Sequence, residues 1–124
     1  MLAKTPPAAL LLEEAVRYLK SRQLCKGVLG RYADGTEVGS FSAFQQPCAD
    51  IVSVCAHGAI YGAAVASSWS EHETDALLDE LDDFVDMRTD CVHTCAPAYN
   101  DARFRRKREV VGLLREFRAA LLDR

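Results

Sequence analysis

Two cysteines and a histidine alternate in the stretch DCVHTCAPAYND, residues 90–101. Alternate residues of an extended segment point to one side, so Cys91, His93 and Cys95 can converge on a single ion, and zinc takes such thiolate and imidazole ligands. Cys55 and His57 repeat the Cys-x-His spacing. A structural zinc site needs four ligands and a catalytic one three plus water, yet the chain has no Cys-x-x-Cys pair and fits no common zinc motif. Zinc at Cys91, His93 and Cys95 is therefore the alternative, and no cofactor is the expectation.

The same residue types raise a second chemistry, a cysteine nucleophile with a histidine base and an amide to orient it. The chain order Cys25 or Cys55, then His57 or His93, then Asn100 permits it,. A reactive thiol needs a depressed pKa. Cys55 is expected a turn or more inside a helix, whereas Cys25 falls at a helix-to-strand junction and is the better placed of the two. A hydrolase or transferase using either one is the enzyme alternative.

Charge is the third feature. Glu71 to Asp90 holds nine acidic residues and one basic, whereas Cys91 to Arg124 holds eight basic and four acidic. Arg103, Arg105, Arg106, Lys107 and Arg108, with Phe104 and Tyr99 for stacking, form a patch suited to an anion or a nucleic acid. The opposing carboxylates, Asp79, Asp82, Asp83 and Asp86 among them, suit a basic partner or imitate a phosphate backbone. The two segments can also pair with each other, within one chain or across a homodimer.

The elements that carry these groups follow from patterning. At 124 residues with a formal net charge of -3, one soluble domain spanning 1–124 is expected. Ala8, Leu12, Ala15 and Leu19 make one stripe of a first helix, Pro6 to Arg22, widened by Leu11, Val16 and Tyr18. Asp34-Gly35 sits between two short β-prone runs, a hairpin of Val28–Tyr32 with Thr36–Phe41. Small apolar residues from Asp50 to Ser67 predict a buried helix that another element approaches closely. Ser70 and Glu73 have capping-box spacing and open an acidic helix ending near Met87, with Leu77, Leu81 and Phe84 inward. Val110, Leu114, Phe117 and Leu121 are the seam of a last helix between Asp101 and Leu122. Pro97 disfavours helix at Ala96, which makes Asn100 and Asp101 a polar turn that caps the last helix. The expected fold is α+β, mainly α, with about four helices and one hairpin between the first and second.

No window reaches the roughly 20 apolar residues of a spanning helix, and Met1–Pro7 is too short and polar for a signal peptide. With an odd count of five cysteines, a cytoplasmic protein with reduced thiols and no membrane contact is expected.

Three stretches, LCKGVLGRYADG, VCAHGAIYGAA and YNDARFRRKREVVGLLREF, resemble an uncharacterised family of short actinobacterial and actinophage proteins. The resemblance rests on Cys25 and Gly27, on Cys55, Ala56, Gly58 and Ala59, and on Asn100 and Asp101. Leu24 stands where the family carries Trp, His57 where it has an apolar residue, and Arg106 in place of a Thr cap. The resemblance implies a phage or mobile-element origin and no activity. The leading expectation is a small non-enzymatic interaction protein that modulates or inhibits a protein partner through charged helix surfaces. Nucleic-acid binding by residues 103–108 is the further alternative.

Overall fold

A computed structural model describes residues 5–45, 50–88 and 95–124. Five helices and a small mixed sheet make the fold α+β and mainly α: α1 Thr5–Lys20, α2 Ala56–Ala66, α3 Glu71–Met87, α4 Ala96–Asp101 and α5 Lys107–Leu122. The strands are β1 Gln23–Leu24, β2 Gly30–Tyr32, β3 Glu37–Val38 and β4 Ile51–Val54, in the spatial order β1-β4-β2-β3. β1 runs parallel to β4, and the other two pairings are antiparallel.

The helical stripes bury as their spacing requires. Ala8, Leu12, Ala15 and Leu19 of α1 are fully buried, and α1 packs along both α2 and α5. Val110, Leu114, Phe117 and Leu121 form the inner face of α5, and Phe117 meets Phe84 of α3 at 5.5 Å between ring centroids. The α3 capping box closes reciprocally, Glu73 N–H to Ser70 Oγ at 3.1 Å and Ser70 N–H to Glu73 Oε1 at 3.0 Å. Asp34-Gly35 does turn the β2–β3 hairpin. Gly35 takes φ +89°, and Asp34 Oδ1 accepts the Thr36 N–H at 2.9 Å. The small-residue face of α2 admits close neighbours as expected, since a Cβ on Gly62 would lie 2.6 Å from the Tyr18 ring.

Three expectations change. The helix predicted from Asp50 starts only at Ala56, because the β-branched run Ile51–Val54 forms the strand that joins β1 to β2,. Ala96–Asp101 is helical despite Pro97, which sits in the first turn where a missing N–H costs nothing,. The Asp82 carboxylate takes the Ala96 N–H, and burial of Tyr99 and Asn100 holds the turn inward. Asn100 and Asp101 are therefore inside α4 rather than at the cap of the last helix, whose N-cap is Arg106.

Candidate functional site

The three resembling stretches meet at one point. Asn100 is fully buried: its Oδ1 accepts the Ala56 N–H at 2.9 Å, and its Nδ2 donates to the Cys25 carbonyl at 2.9 Å and to Asp101 Oδ1 at 3.0 Å. Asp101 Oδ1 also accepts the Gly27 N–H at 3.1 Å. Helix starts leave N–H groups without partners, and α2 satisfies two of them here, through Asn100 and through Cys55 Sγ, which accepts the Gly58 N–H at 3.3 Å. The Cys55 N–H in turn reaches the Leu29 carbonyl at 3.0 Å. One amide side chain thus ties the residue after β1, the start of α2 and the last turn of α4.

This knot includes both candidate cysteines, Cys25 through its carbonyl and Cys55 through its thiol. Cys55 is the N-cap of α2, not an interior residue, and burial pushes its thiol up to about 11, outweighing the Gly58 N–H. Burial also raises Cys25, against the lowering influence of Ser53 and Arg31. Cys25, expected to be the more reactive, is only 8 % exposed, because the pairing of its N–H with the Val54 carbonyl continues the β1–β4 ladder. Among the described residues no hydrogen bond joins the His57 ring to either thiol; its Nε2 lies 3.0 Å from Asp82 Oδ1. Asn100 orients backbone rather than imidazole. In native protein at neutral pH, Cys25 and Cys55 should label with a soluble disulfide reagent at least about 100-fold more slowly than after unfolding. Peptide-resolved mass spectrometry reads this, and fast native labelling of either residue would contradict the buried-thiol assignment.

Asp82 separates from its acidic neighbours. It lies four residues after the buried Leu78 at the margin of the apolar stripe, and it joins α3 to His57 of α2 and to the Ala96 N–H of α4. Burial would raise its carboxyl, but the His57 hydrogen bond, the Ala96 N–H and the imidazole charge together hold it below the usual carboxylate value. A lowered folded-state pKa contributes stability that is present above the unfolded value and lost as pH falls through the folded one. The gap in urea midpoint between wild type and Asp82→Asn should therefore narrow from pH 7 to about pH 3. A constant gap would mean that the carboxylate does not act this way.

The basic cluster divides in two. Arg105 donates from Nε to the Tyr99 carbonyl at 2.9 Å and pairs with Glu109 at 3.1 Å, with its guanidinium 3.7 Å from the Tyr99 ring centroid. Lys107 reaches across to the carbonyls of Lys20 and Arg22 at the end of α1. These two fasten α5 to the rest of the fold. Arg103, Arg106 and Arg108 are exposed, with no carboxylate at ion-pair distance among the described residues. Arg106 has only donors and cannot cap a first turn; the reciprocal bond, its N–H to Glu109 Oε1 at 2.9 Å, is made. Between the two groups lies Phe104, 80 % exposed at φ 66°. Of the acidic candidates, Asp79, Asp83 and Asp86 are exposed on one face of α3 and have no ion pair among the described residues. Helices α3 and α5 pair through other residues, Arg88 with Glu116 at 3.0 Å and Arg124 with Glu80 at 2.6 Å.

Cys91 and His93 lie outside the described residues, and Cys95 is the N-cap of α4. The described residues contain no group of three possible metal ligands. A cleft of about 300 Å³ opens over the knot between Gly27, Leu29, Gly39, His57 and Pro97. Sequence reasoning missed two contacts that hold this region, Asp82 to His57 and Lys26 Nζ to the Ala102 carbonyl at 2.7 Å. Only the place of Asp82 beside Leu78 signalled the first.

Fold and site together define a small, mainly helical α+β domain in which a buried asparagine unites three separate segments. The chain belongs to a family of unknown function, DUF6197, whose pattern matches residues 3–120. No curated protein and no solved structure matches it. No described helix is long and apolar enough to cross a membrane.

Proposed function

We propose that the chain is a non-enzymatic interaction protein that binds and modulates a protein partner through the loop at residues 102–106 and the exposed charges beside it. The observation that carries this reading is Phe104, an aromatic residue held in solvent in a left-handed conformation. For a bulky side chain that backbone state costs on the order of 1–3 kcal/mol and persists only where the surroundings impose it. Here the loop is fastened on every side: Lys26 and the Arg105 N–H both bond the Ala102 carbonyl, Arg105 bonds Tyr99, and Glu109 takes the Arg106 N–H. A rigid loop gives up little conformational entropy on docking. Phe and Arg are residue types enriched at interface centres, and Arg103, Phe104 and Arg106 are all exposed.

The reading includes a cytoplasmic setting and a phage or mobile-element origin, the latter supported only by the resemblance of the three stretches. A pulldown from host cells should capture a protein that Arg103→Ala combined with Phe104→Ala fails to retain, at unchanged thermal stability. Retention by the double variant would sink the assignment of this surface. The alternative, stacking of nucleic-acid bases on Phe104 beside Arg103, predicts instead that nuclease treatment abolishes capture and that affinity falls steeply with salt.

A further inference from the structure

We infer that one partner of this surface is a second copy of the chain, docked about a twofold axis that sets the acidic end of α3 against the arginine loop of its neighbour. The inference rests on the reading of residues 102–106 as an interaction surface. Both halves of the contact lie in one region, because the end of α3 and the loop converge on Tyr99. The Arg88 and Arg105 guanidinium carbons are 5.5 and 3.7 Å from that ring centroid. The acidic half carries Asp79, Asp83 and Asp86, spaced four and three along one helix face, and the basic half carries Arg103, Arg106 and Arg108,. Each half exposes one large apolar residue, Met87 and Phe104.

Among the described residues these charges are not paired with each other: α3 lies along the C-terminal half of α5, with Glu80 on Arg124 and Phe84 on Phe117, and only its end is tied to the loop, through Arg88 and Tyr99. A surface that carries two groups of opposite sign is self-complementary. A twofold rotation applies each half to its opposite twice over, which is the geometry of an isologous dimer. The same rotation can bring Met87 of one copy toward Phe104 of the other, and thioether–aromatic contacts are favourable. A formal net charge of -3 per chain opposes association only weakly,.

Sedimentation velocity over a concentration series tests this, with circular dichroism confirming that each variant folds. The wild type should dimerise, and more weakly as salt rises. Asp83→Arg with Asp86→Arg, or Arg103→Asp with Arg106→Asp, should each raise the dimer dissociation constant at least about tenfold. An equimolar mixture of the two variants should dimerise again, since both contacts of the mixed pair are then complementary. A wild-type monomer at every concentration, a dimer indifferent to both reversals, or a mixture that fails to associate overturns the inference. Monomeric wild type that still captures a host protein through Phe104 and Arg103 would leave the broader interaction reading standing. Loss of that capture without loss of the dimer would do the reverse.

Discussion

Asn100→Ala is expected to lower stability by about 3–5 kcal/mol, because it leaves two buried backbone groups without partners at once. The Ala56 N–H and the Cys25 carbonyl both lose their bonds to the amide. Each unsatisfied buried group costs roughly 1–3 kcal/mol, against a total stability of roughly 5–15 kcal/mol for a domain of this kind. Urea unfolding measures the difference. A loss below about 1 kcal/mol would mean that the knot is incidental to the fold.

Asn100→Asp sharpens the same test, since it preserves shape and removes only the donor. Its second oxygen would face the Cys25 carbonyl and the Asp101 carboxylate with no proton between them. Burial and the neighbouring charge raise the folded pKa of such a carboxyl, so the folded state binds the extra proton. Stability then falls as pH rises above the unfolded value of about 4, and is recovered as pH is lowered toward it. Asn100→Ala has no such recovery. The pair therefore separates loss of the donor from loss of volume.

Much of the helical framework was legible in the sequence because its signals are local. The apolar stripes of α1, α3 and α5 and the Ser70–Glu73 capping box are set by spacings of three and four, which need no knowledge of distant residues. Strand β4 was missed although Ile51, Val52 and Val54 are β-branched, since a four-residue strand leading directly into a small-residue helix blends into its pattern. The site was less legible. Asn100 was read as a turn because its partners, Cys25 and Ala56, are 75 and 44 residues away in the chain. Within RFRRKR, nothing in residue type distinguishes Arg105 and Lys107, which fasten α5 to Tyr99 and to the end of α1, from Arg103, Arg106 and Arg108, which face solvent. Tertiary contact alone makes that division, and it reduces the five-residue patch to three arginines and a phenylalanine.

Gly58→Ala should destabilise the protein by roughly 3–4 kcal/mol, even though alanine is the better helix former by about 1 kcal/mol. A Cβ on Gly58 would fall well inside contact distance of the Leu29 carbonyl oxygen, and its neighbour on the other side is the Phe44 ring at 3.4 Å. The Leu29 carbonyl cannot swing aside cheaply, because it is the acceptor for the Cys55 N–H at 3.0 Å. To admit the methyl group, the start of α2 must lift from the segment after β1, and the Asn100 and Cys55 caps are strained together. Gly112→Ala in α5 is the matched control: a Cβ there meets nothing within 4 Å, so the same substitution should stabilise by about 0.5–1 kcal/mol. Opposite signs for the two changes in thermal or urea unfolding would place the constraint in the Leu29 carbonyl rather than in helix propensity. Equal signs would remove the close approach of α2 from the account of this fold.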